Sequence, residues 1–423
     1  MGRTARTRRT PHLPPVERIE LNAKTSKGRV ALVAILLVGG LALVINALMS
    51  LLTANAGWNE IAVNQTDEPS CASEFVLLYN LGASGAAAPV ENRAIAALYT
   101  QACVDAYRLF TGDLGYYGVN NVYSLNRHPN EPLEVDSALY SAFEQLASSG
   151  DRTLYLAPIY DAYHGLFTCE TDEQTADFDP YANDELRAFF AEVAAFARDP
   201  EMIDLRLLGD GQVELFVSDA YLAFAEREEI DRYIDFSFMK NAFIADYLAG
   251  ALAGGGYTLG TLSSYDGFIR CLDGQSDTAY TLNLYDRDGL SVYPAAVMRY
   301  SGARAICSLR NYPLSELDTY RIRELSFGPT RTTYLDVRDG LSRSALDELV
   351  LTSRDMGCAE LLLRAIPIYI ADALDAGALS ALAREGADSV VIEDRTVRCT
   401  DPSLTVSQLY ASDAVQYTLE YVQ

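Results

Sequence analysis

Apolar residues recur at helical spacing over one stretch in the middle of the chain. Between residues 239 and 252 they lie three or four positions apart, at Met239, Ala242, Phe243, Ala245, Leu248, Ala249 and Leu252. This period predicts a helix with one buried face. Ser237 stands just before the helix and is a residue type that caps helix N-termini.

Lys240 falls in the first turn of this predicted helix and is the only lysine beyond residue 29. A helix N-terminus with a cation beside it can bind a phosphate group. The alternative interpretation is a solvated lysine on an ordinary amphipathic helix.

Alternating and helical patterns predict further elements on both sides of this helix. The predicted strands lie at 75–79, 205–208, 213–217, 258–262, 267–271, 279–284, 303–308, 332–337, 389–392 and 397–399, and the other helices at 90–110, 137–147, 186–197, 344–350, 358–366 and 377–385. Residues 168–185 are acidic and rich in turn formers, which predicts a surface loop. Because the strands and helices do not alternate regularly, the pattern favours an α+β fold over a doubly wound α/β fold.

One apolar segment, residues 30–52, contains no charged residue. Twenty-three residues in a helix span roughly 34 Å, which is enough to cross a bilayer core of about 30 Å. The basic flank is N-terminal, so we expect a cytoplasmic tail at 1–29, a transmembrane helix at 30–52, a polar tether at 53–70 and an extracytoplasmic domain at 71–423 in the cell membrane. The alternative is a cleaved signal peptide, since Ala54-Asn-Ala56 has the small-residue form of a cleavage site.

The charged residues are distributed unevenly on the two sides of this segment: the N-terminal tail is basic and the rest of the chain is acidic. Residues 1–29 hold eight Arg or Lys and two Glu, so the rest holds 25 of the 33 cations and 56 of the 58 anions, a formal charge of −31. The chain beyond residue 29, which we call the acidic body, repels nucleic acid because both are negatively charged. We therefore exclude nucleic acid as a partner.

Cysteine and histidine usage limits the possible chemistry. The seven cysteines all lie beyond residue 70, and none has the C-x-x-C spacing of a zinc site. An oxidising compartment permits disulfides, with at least one thiol left over; buried free thiols are the alternative. Only His128 and His164 lie outside the tail, which is too few to argue a histidine-based catalytic triad.

The central segment resembles the FAD:protein FMN transferases of the ApbE family. Their pattern is D-L-G-G-I-A-K-G-Y-A-V-D followed by a strand and G-G-D. Asp235 and Asp246 match the two acidic ends, and Asp266 matches the last aspartate. Ser237 and Phe238 stand in the two glycine columns. Asn241 stands in the lysine column, with Lys240 displaced by one position.

Five other stretches resemble family motifs in the correct order, over about residues 110 to 400. They are Val122–Arg127 for S-x-I-N-R, Arg152–Tyr160 for G-A-F-D-P-T-V, Ala305–Tyr312 for A-T-S-G-D-Y, Tyr334–Gly340 for H-I-I-D-P-x-T-G, and Cys358–Ala365 for A-D-A-L-S-T-A. Several columns differ. Ala157 replaces an aspartate, Tyr334 a histidine, Glu360 an aspartate and Arg364 a threonine.

The resemblance implies a transferase that moves FMN from FAD onto a Ser or Thr of a membrane redox protein, releases AMP and uses Mg²⁺. It implies catalytic roles for Asp235, Asp246 and Asp336, cofactor binding by Asn126, Lys240, Asn241, Asp266 and Arg364, and metal binding by Glu360. Arg364 could instead replace the metal, since a guanidinium suits phosphate. The alternatives are a catalytically inactive flavin- or nucleotide-binding protein, or a protein-interaction module on the same fold.

Overall fold

The computed structural model describes residues 55–274, 278–289, 291–325, 329–411 and 415–422. The predicted tail at 1–29 and the predicted transmembrane helix at 30–52 lie outside these residues. Among the helices described, none combines the length and apolar character needed to cross a membrane.

Most of the described helices and short 3₁₀ turns lie before residue 255, and two helices follow after residue 357. The 3₁₀ turns are Ala72–Glu74, Thr153–Leu156, Ser237–Met239 and Glu316–Tyr320. The helices, numbered in chain order over the described residues, are α1 (Ala88–Phe110), α2 (Val122–Arg127), α3 (Ser137–Ser149), α4 (Ala157–Thr168), α5 (Asp172–Phe178), α6 (Asp184–Arg198), α7 (Asp219–Arg227), α8 (Lys240–Gly254), α9 (Cys358–Tyr369) and α10 (Ala376–Arg384).

The described strands form one large sheet and three small ones. The nine-stranded sheet runs in the order β1 (Gly57–Glu60), β2 (Phe75–Leu81), β6 (Gly260–Ser264), β7 (Phe268–Cys271), β10 (Arg304–Arg310), β13 (Glu348–Ser353), β14 (Asp388–Glu393), β15 (Thr396–Cys399) and β17 (Thr418–Tyr421). Its neighbours are antiparallel except β15 and β17. The small sheets are β3 (Pro132–Glu134), β5 (Gln212–Val217) and β4 (Ile203–Gly209); β16 (Thr405–Leu409), β9 (Ser291–Ser301) and β8 (Ala279–Asp288); and β11 (Ile322–Arg323) with β12 (Arg331–Thr332).

Helix α8 is the predicted central helix, and its apolar face is buried as expected. It packs against α1, α9 and the strands β6 and β7. Phe243 and Leu248 are both buried, and Leu248 is completely inaccessible to solvent. Mixed helices and mostly antiparallel sheets confirm the α+β class.

Helix α3 begins as the sequence indicated, because the Asp136 carboxylate accepts a hydrogen bond from the Ala138 amide at 2.8 Å. Ser237, by contrast, does not cap α8. Met239 occupies the N-cap position, and the Ser237 hydroxyl donates to Asp235 instead. The capping prediction for Ser237 is therefore wrong.

Three predicted segments are also wrong in the structure. Residues 53–70 are not a polar tether throughout, because β1 pairs with β2 as the edge strand of the large sheet. The segment 344–350 is not a helix. Its last three residues belong to β13, which pairs with β10 and β14 within the large sheet. The predicted strand at 332–337 shrinks to Arg331–Thr332.

The acidic segment 168–185 is more ordered than a surface loop. It contains α5, at whose start the Gln174 side chain accepts a hydrogen bond from the Thr171 amide at 3.3 Å. The Thr171 side chain in turn accepts a hydrogen bond from the Gln174 amide. Such a reciprocal capping box allows a short helix to form in a polar sequence.

Candidate functional site

A cleft of about 540 Å³ opens at the N-terminal end of α8. This volume lies within the roughly 300–1,000 Å³ of pockets that hold cofactor-sized ligands. We call it the Lys240 cleft. It is lined by Glu74, Asp113, Tyr160, Asp161, Tyr163, His164, Phe167, Arg232, Ser237, Phe238, Lys240, Asn241, Asp266, Phe268, Tyr320, Arg321, Thr333 and Tyr334.

The chain enters α8 through a tight turn built on Asp235. Its Oδ1 accepts hydrogen bonds from the Ser237 amide at 2.6 Å and from the Ser237 hydroxyl at 3.0 Å. Ser237 has φ of +48°, in the left-handed region that glycine adopts most easily. This position is the first glycine column of the motif, and Ser237 adopts there a conformation that glycine takes more easily.

Asn126 holds this entry segment in place. Its Oδ1 accepts from the Tyr233 and Ile234 amides at 2.9 and 3.0 Å, and its Nδ2 donates to the Ile234 carbonyl at 2.9 Å. The side chain is buried and fully engaged with backbone, and it does not line the cleft. Asn126 thus positions the turn before α8.

Lys240 lies at the wall of the cleft, with its Nζ 3.6 Å from a carboxylate oxygen of Glu74. Burial acts to lower the pKa of Lys240, but the carboxylates of Glu74, Asp235 and Asp266 together raise it. The amine therefore stays charged at neutral pH. Since an ammonium group has three donors, Lys240 can bind an anion and keep its contact with Glu74.

Asn241 and Asp266 form a polar floor with unused hydrogen-bonding capacity. Asn241 Nδ2 donates to Asp266 Oδ2 at 3.1 Å. The Oδ1 atoms of both side chains are buried and accept no hydrogen bond from any described residue, and Asn241 is only 7% exposed. A buried acceptor without a partner costs roughly 1–3 kcal/mol, so this floor is suited to a ligand that carries N–H or O–H donors. Burial also raises the pKa of the Asp266 carboxyl above its ordinary value.

A guanidinium and two aromatic rings also line the cleft, from Arg321, Phe238 and Tyr334. Arg321 donates from Nη1 to the Tyr334 hydroxyl at 3.0 Å and from Nε to Asp318 at 3.0 Å. The Phe238 and Tyr334 rings meet edge to face with centroids 5.1 Å apart. Burial raises the pKa of Tyr334, so its phenol stays protonated at neutral pH and cannot act as the base that a histidine in this column could provide.

Asp246 lies at the junction between α8 and α9, away from the cleft lining. Its two carboxylate oxygens accept from the Cys358 and Ala359 amides at 2.9 Å each, and Oδ1 also accepts from Arg270 at 2.8 Å. Burial raises the pKa of Asp246, against the lowering effect of Arg270 and the two amides. The side chain caps the N-terminus of α9, which is a structural task.

Asp336 is also committed to structure. It is buried, accepts from the Arg338 amide and Nε at 2.8 Å each, and lies 3.2 Å from Arg343 Nη1. The Gly340 amide closes the turn by donating to the Asp336 carbonyl at 2.7 Å. Gly340 has φ of +77°, and a Cβ there would lie 2.5 Å from Ile159, which explains a glycine at this position.

Glu360 and Arg364 line a different cavity, of about 1060 Å³, between α3, α9 and α10. Arg364 Nη2 lies 2.9 Å from Glu360 Oε1, and Arg364 also pairs with Glu385. Ala157, the third expected contributor to a metal site, is buried and has no oxygen in its side chain. These residues do not fit Mg²⁺, because the one carboxylate among them is already neutralised by an arginine. Within the described ranges, no group of three or more His, Cys, Asp or Glu side chains could hold a metal ion.

Several lining residues escaped the sequence reasoning, above all Glu74, Arg232, Arg321 and Thr333. Arg232 is held by Asp113 at 2.7 Å and also pairs with Asp161 at the mouth of the cleft. The Thr333 hydroxyl is buried and has no partner in the part of the chain that the structure describes. These residues come from separate segments with no common spacing, so no sequence signal marks them.

The fold is shared with solved flavin transferases. The ApbE protein of Thermotoga maritima superposes with a TM-score of 0.52 at 12% identity, over 79% of this chain and 94% of that one. The flavin transferase ApbE of Vibrio cholerae superposes with a TM-score of 0.51 at 13% identity, over 80% of this chain and 95% of that one. No protein-family model matches the sequence, and no curated protein sequence matches it. At such low identity the likeness establishes a divergent ApbE-like fold, and the cleft must supply the argument for function.

Proposed function

We propose that this chain, which has an ApbE-like fold, binds a flavin nucleotide in the Lys240 cleft. The observation that carries the proposal is the buried polar floor, where Asn241 and Asp266 each keep an unpaired acceptor beside the charged amine of Lys240. Flavin and adenine rings carry N–H donors for such acceptors, and a phosphate matches Lys240. The aromatic side chains of Phe238 and Tyr334, which line the same cleft, provide a surface for a planar ring.

Each part of the cleft then has a stated role. Asn241 and Asp266 would orient the ring, Lys240 would bind a phosphate oxygen, and Arg321 would add positive charge while its contact with Asp318 holds it in place. Asp235 would act through the turn at Ser237, which sets the position of Lys240. Mg²⁺ is not part of this proposal, since the residues in its expected columns do not fit it.

A direct test is titration of the purified full-length chain, in detergent, with FAD, FMN and ADP by calorimetry. We expect FAD to bind, and its flavin absorbance to survive desalting. EDTA should leave the affinity unchanged, because two protein cations replace the metal. Absence of heat and of bound absorbance for all three ligands would refute the proposal, and a strict requirement for Mg²⁺ would refute its metal-free form.

Flavinyl transfer is the second candidate, favoured by the position and raised pKa of Asp266 in the cleft. A carboxyl whose pKa lies closer to neutrality is a better general base than an ordinary aspartate. In this reaction a Ser or Thr oxygen of a membrane redox protein attacks the phosphorus of the FMN half of FAD. The bond from that phosphorus to AMP breaks, AMP leaves, and the hydroxyl proton passes to Asp266. AMP release in the presence of an acceptor protein tests this step, and binding without AMP release would leave a flavin-binding protein that does not catalyse transfer.

We also propose that residues 30–52 anchor the chain in the cell membrane with residues 1–29 in the cytoplasm. The uncharged span, its basic flank and the acidic body support this topology. Protease added to intact cells should digest the body and spare the tail. Protection of the body from external protease would overturn the topology.

A further inference from the structure

We infer that Cys71 and Cys103 form a disulfide bond that ties the segment just before β2 to helix α1. This inference rests on the proposed extracytoplasmic location, where thiols become oxidised. It does not depend on flavin binding. The structure shows all seven cysteines as thiols, and the argument rests on where these two lie.

The backbones of the two cysteines are hydrogen-bonded to each other. The Cys71 amide donates to the Cys103 carbonyl at 3.3 Å, and the Cys71 thiol also lies 3.4 Å from that carbonyl oxygen. A disulfide requires Cα atoms roughly 4.4–6.8 Å apart, and residues in direct contact through a backbone hydrogen bond are candidates for such a bond. This direct contact is the observation on which the proposed bond rests.

The Cys71 side chain points towards Cys103, since its Sγ atom lies 3.4 Å from the Cys103 carbonyl oxygen. The neighbouring Cys103 side chain is the largest of the effects that raise the pKa of the Cys71 thiol, followed by burial. Both residues are completely buried. Among the described residues, no other two cysteines share a backbone hydrogen bond. Cys358, for comparison, directs its thiol to the carbonyl oxygens of Ile269 and Ile306.

The cross-link would fix one wall of the Lys240 cleft. Cys71 immediately precedes the 3₁₀ turn Ala72–Glu74, and the Glu74 amide donates to the Cys71 carbonyl at 2.9 Å. Glu74 is the partner of Lys240, while Cys103 lies in α1, which packs on α8. A bond between Cys71 and Cys103 thus connects the segment bearing Glu74 to the helix that supports Lys240.

Formation of the bond is a two-electron oxidation. The two Sγ atoms join, and each thiol loses its proton. The two electrons pass to the disulfide of an extracytoplasmic thiol oxidase, which is reduced to a dithiol by exchange. The bond joins residues 32 positions apart in the chain, and closing such a loop stabilises the folded chain by restricting the unfolded one.

The test is to map the thiols of the full-length chain in isolated membranes. Membranes are denatured in alkylating agent without reductant, and the chain is digested with trypsin. Cleavage after Arg93 separates the two cysteines, so a disulfide joins the peptide 94–108 to the peptide that contains Cys71. We expect this linked pair and alkylation of the other five of the seven cysteines.

Matched variants decide whether the pairing is specific. Cys71→Ser and Cys103→Ser should each lose the linked peptide and leave six alkylated cysteines. Cys169→Ser, at the least buried cysteine, should keep the link and leave four alkylated. Reductant should lower the melting temperature of the wild type and of Cys169→Ser but not that of the other two variants.

Two results would overturn the inference: seven alkylated cysteines in the wild type, or a link between any other pair. The protease test on the same cells shows whether the absence of a disulfide is due to a wrong pairing or to a wrong location of the domain. Seven free thiols on a body that protease reaches from outside would refute the pairing itself, whereas seven free thiols on a protected body would refute it together with the proposed location. Flavin binding is measured independently and is not affected by either result.

Discussion

Two polar regions on either side of α8 and α9 differ in how completely their charges are paired. In the Lys240 cleft, acceptor atoms of Asn241 and Asp266 remain buried without a partner. Around Arg364, which contacts both Glu360 and Glu385, the positive charge is matched by carboxylates and the side chains are 30–58% exposed. The first region keeps buried acceptors that a ligand can satisfy, whereas the charge of the arginine in the second region is already balanced by two glutamates.

The family resemblance implied that nucleotide binding and metal binding occur at one site, whereas the structure places the corresponding residues in two different regions. The resemblance implied that Lys240 binds the nucleotide and that Glu360 binds the metal of the same site. Here Glu360 and Arg364 form an ion pair with each other and line another cavity. The nucleotide binding proposed for the Lys240 cleft therefore does not depend on Glu360 or Arg364, and the following predictions test this separation.

The largest expected effect is on Asp246, the residue that anchors α9 to α8. Asp246→Ala leaves two helix amides and Arg270 without their carboxylate, so it should lower the free energy of unfolding by about 3–5 kcal/mol. Urea denaturation measures this change. Asp246→Asn, which keeps one acceptor oxygen, should cost less. A loss below about 1 kcal/mol for the alanine variant would contradict the structural role of Asp246.

Lys240→Met should weaken FAD binding without unfolding the protein. A charge-assisted hydrogen bond to phosphate contributes roughly 1.5–3 kcal/mol, which corresponds to a loss of about ten- to hundredfold in affinity. The dissociation constant is measured by calorimetry, with the urea midpoint as a control for folding. If the FAD affinity of Lys240→Met were unchanged, Lys240 would not be a phosphate contact.

Arg364→Met is the matched change in the second region and should have a smaller effect. Partly exposed ion pairs contribute roughly 0.2–1 kcal/mol, so the free energy of unfolding should fall by less than about 1 kcal/mol. FAD affinity should stay within about twofold of wild type, because Arg364 does not line the cleft. If Arg364→Met lowered FAD affinity as much as Lys240→Met, the prediction would be wrong. Arg364 would then be a phosphate contact, as the family resemblance implied.

The smallest effect concerns pH and the buried carboxyl of Asp266. Its pKa in the folded chain is raised above the ordinary value of 3.8, so the folded state holds this proton more tightly than the unfolded state does. The stabilisation is complete below about pH 3.8 and is lost as the pH rises through the raised pKa. Asp266→Asn should therefore be more stable than wild type at pH 7, and the difference should vanish towards pH 4. Equal stability of the two proteins at pH 7 would contradict the raised pKa.

Local patterns in the sequence predicted much of the fold. The period of the apolar residues placed α8 and its buried Phe243 and Leu248, and the α+β class followed from the order of elements. The prediction for segment 344–350 was wrong, because its two apolar pairs around Asp347 and Glu348 fit a helical period although the following apolar residues belong to a buried strand. Only the pairing of β13 with β10 and β14 decides between them.

The candidate site was predicted in part. Lys240, Asn241 and Asp266 were identified from one motif, and all three line the cleft. Asn126, Asp246 and Asp336 were expected to act on the ligand but are bonded to backbone amides or arginines that hold the fold together. The sequence cannot distinguish a polar residue that contacts a ligand from one that supports the fold, because the residue type is the same. Its hydrogen-bond partners in the structure distinguish the two roles.

By itself, the sequence determined the features that depend on neighbours along the chain: the helical face of α8, the uncharged span at 30–52, the acidic body and the order of the motifs. The tertiary structure decided which distant side chains meet. It brought Arg321 and Glu74 to Lys240, paired Glu360 with Arg364, and placed Cys71 against Cys103. The reason is physical: periodicity sets which side of an element is buried, whereas strand pairing and helix packing across long sequence separations set what that side touches.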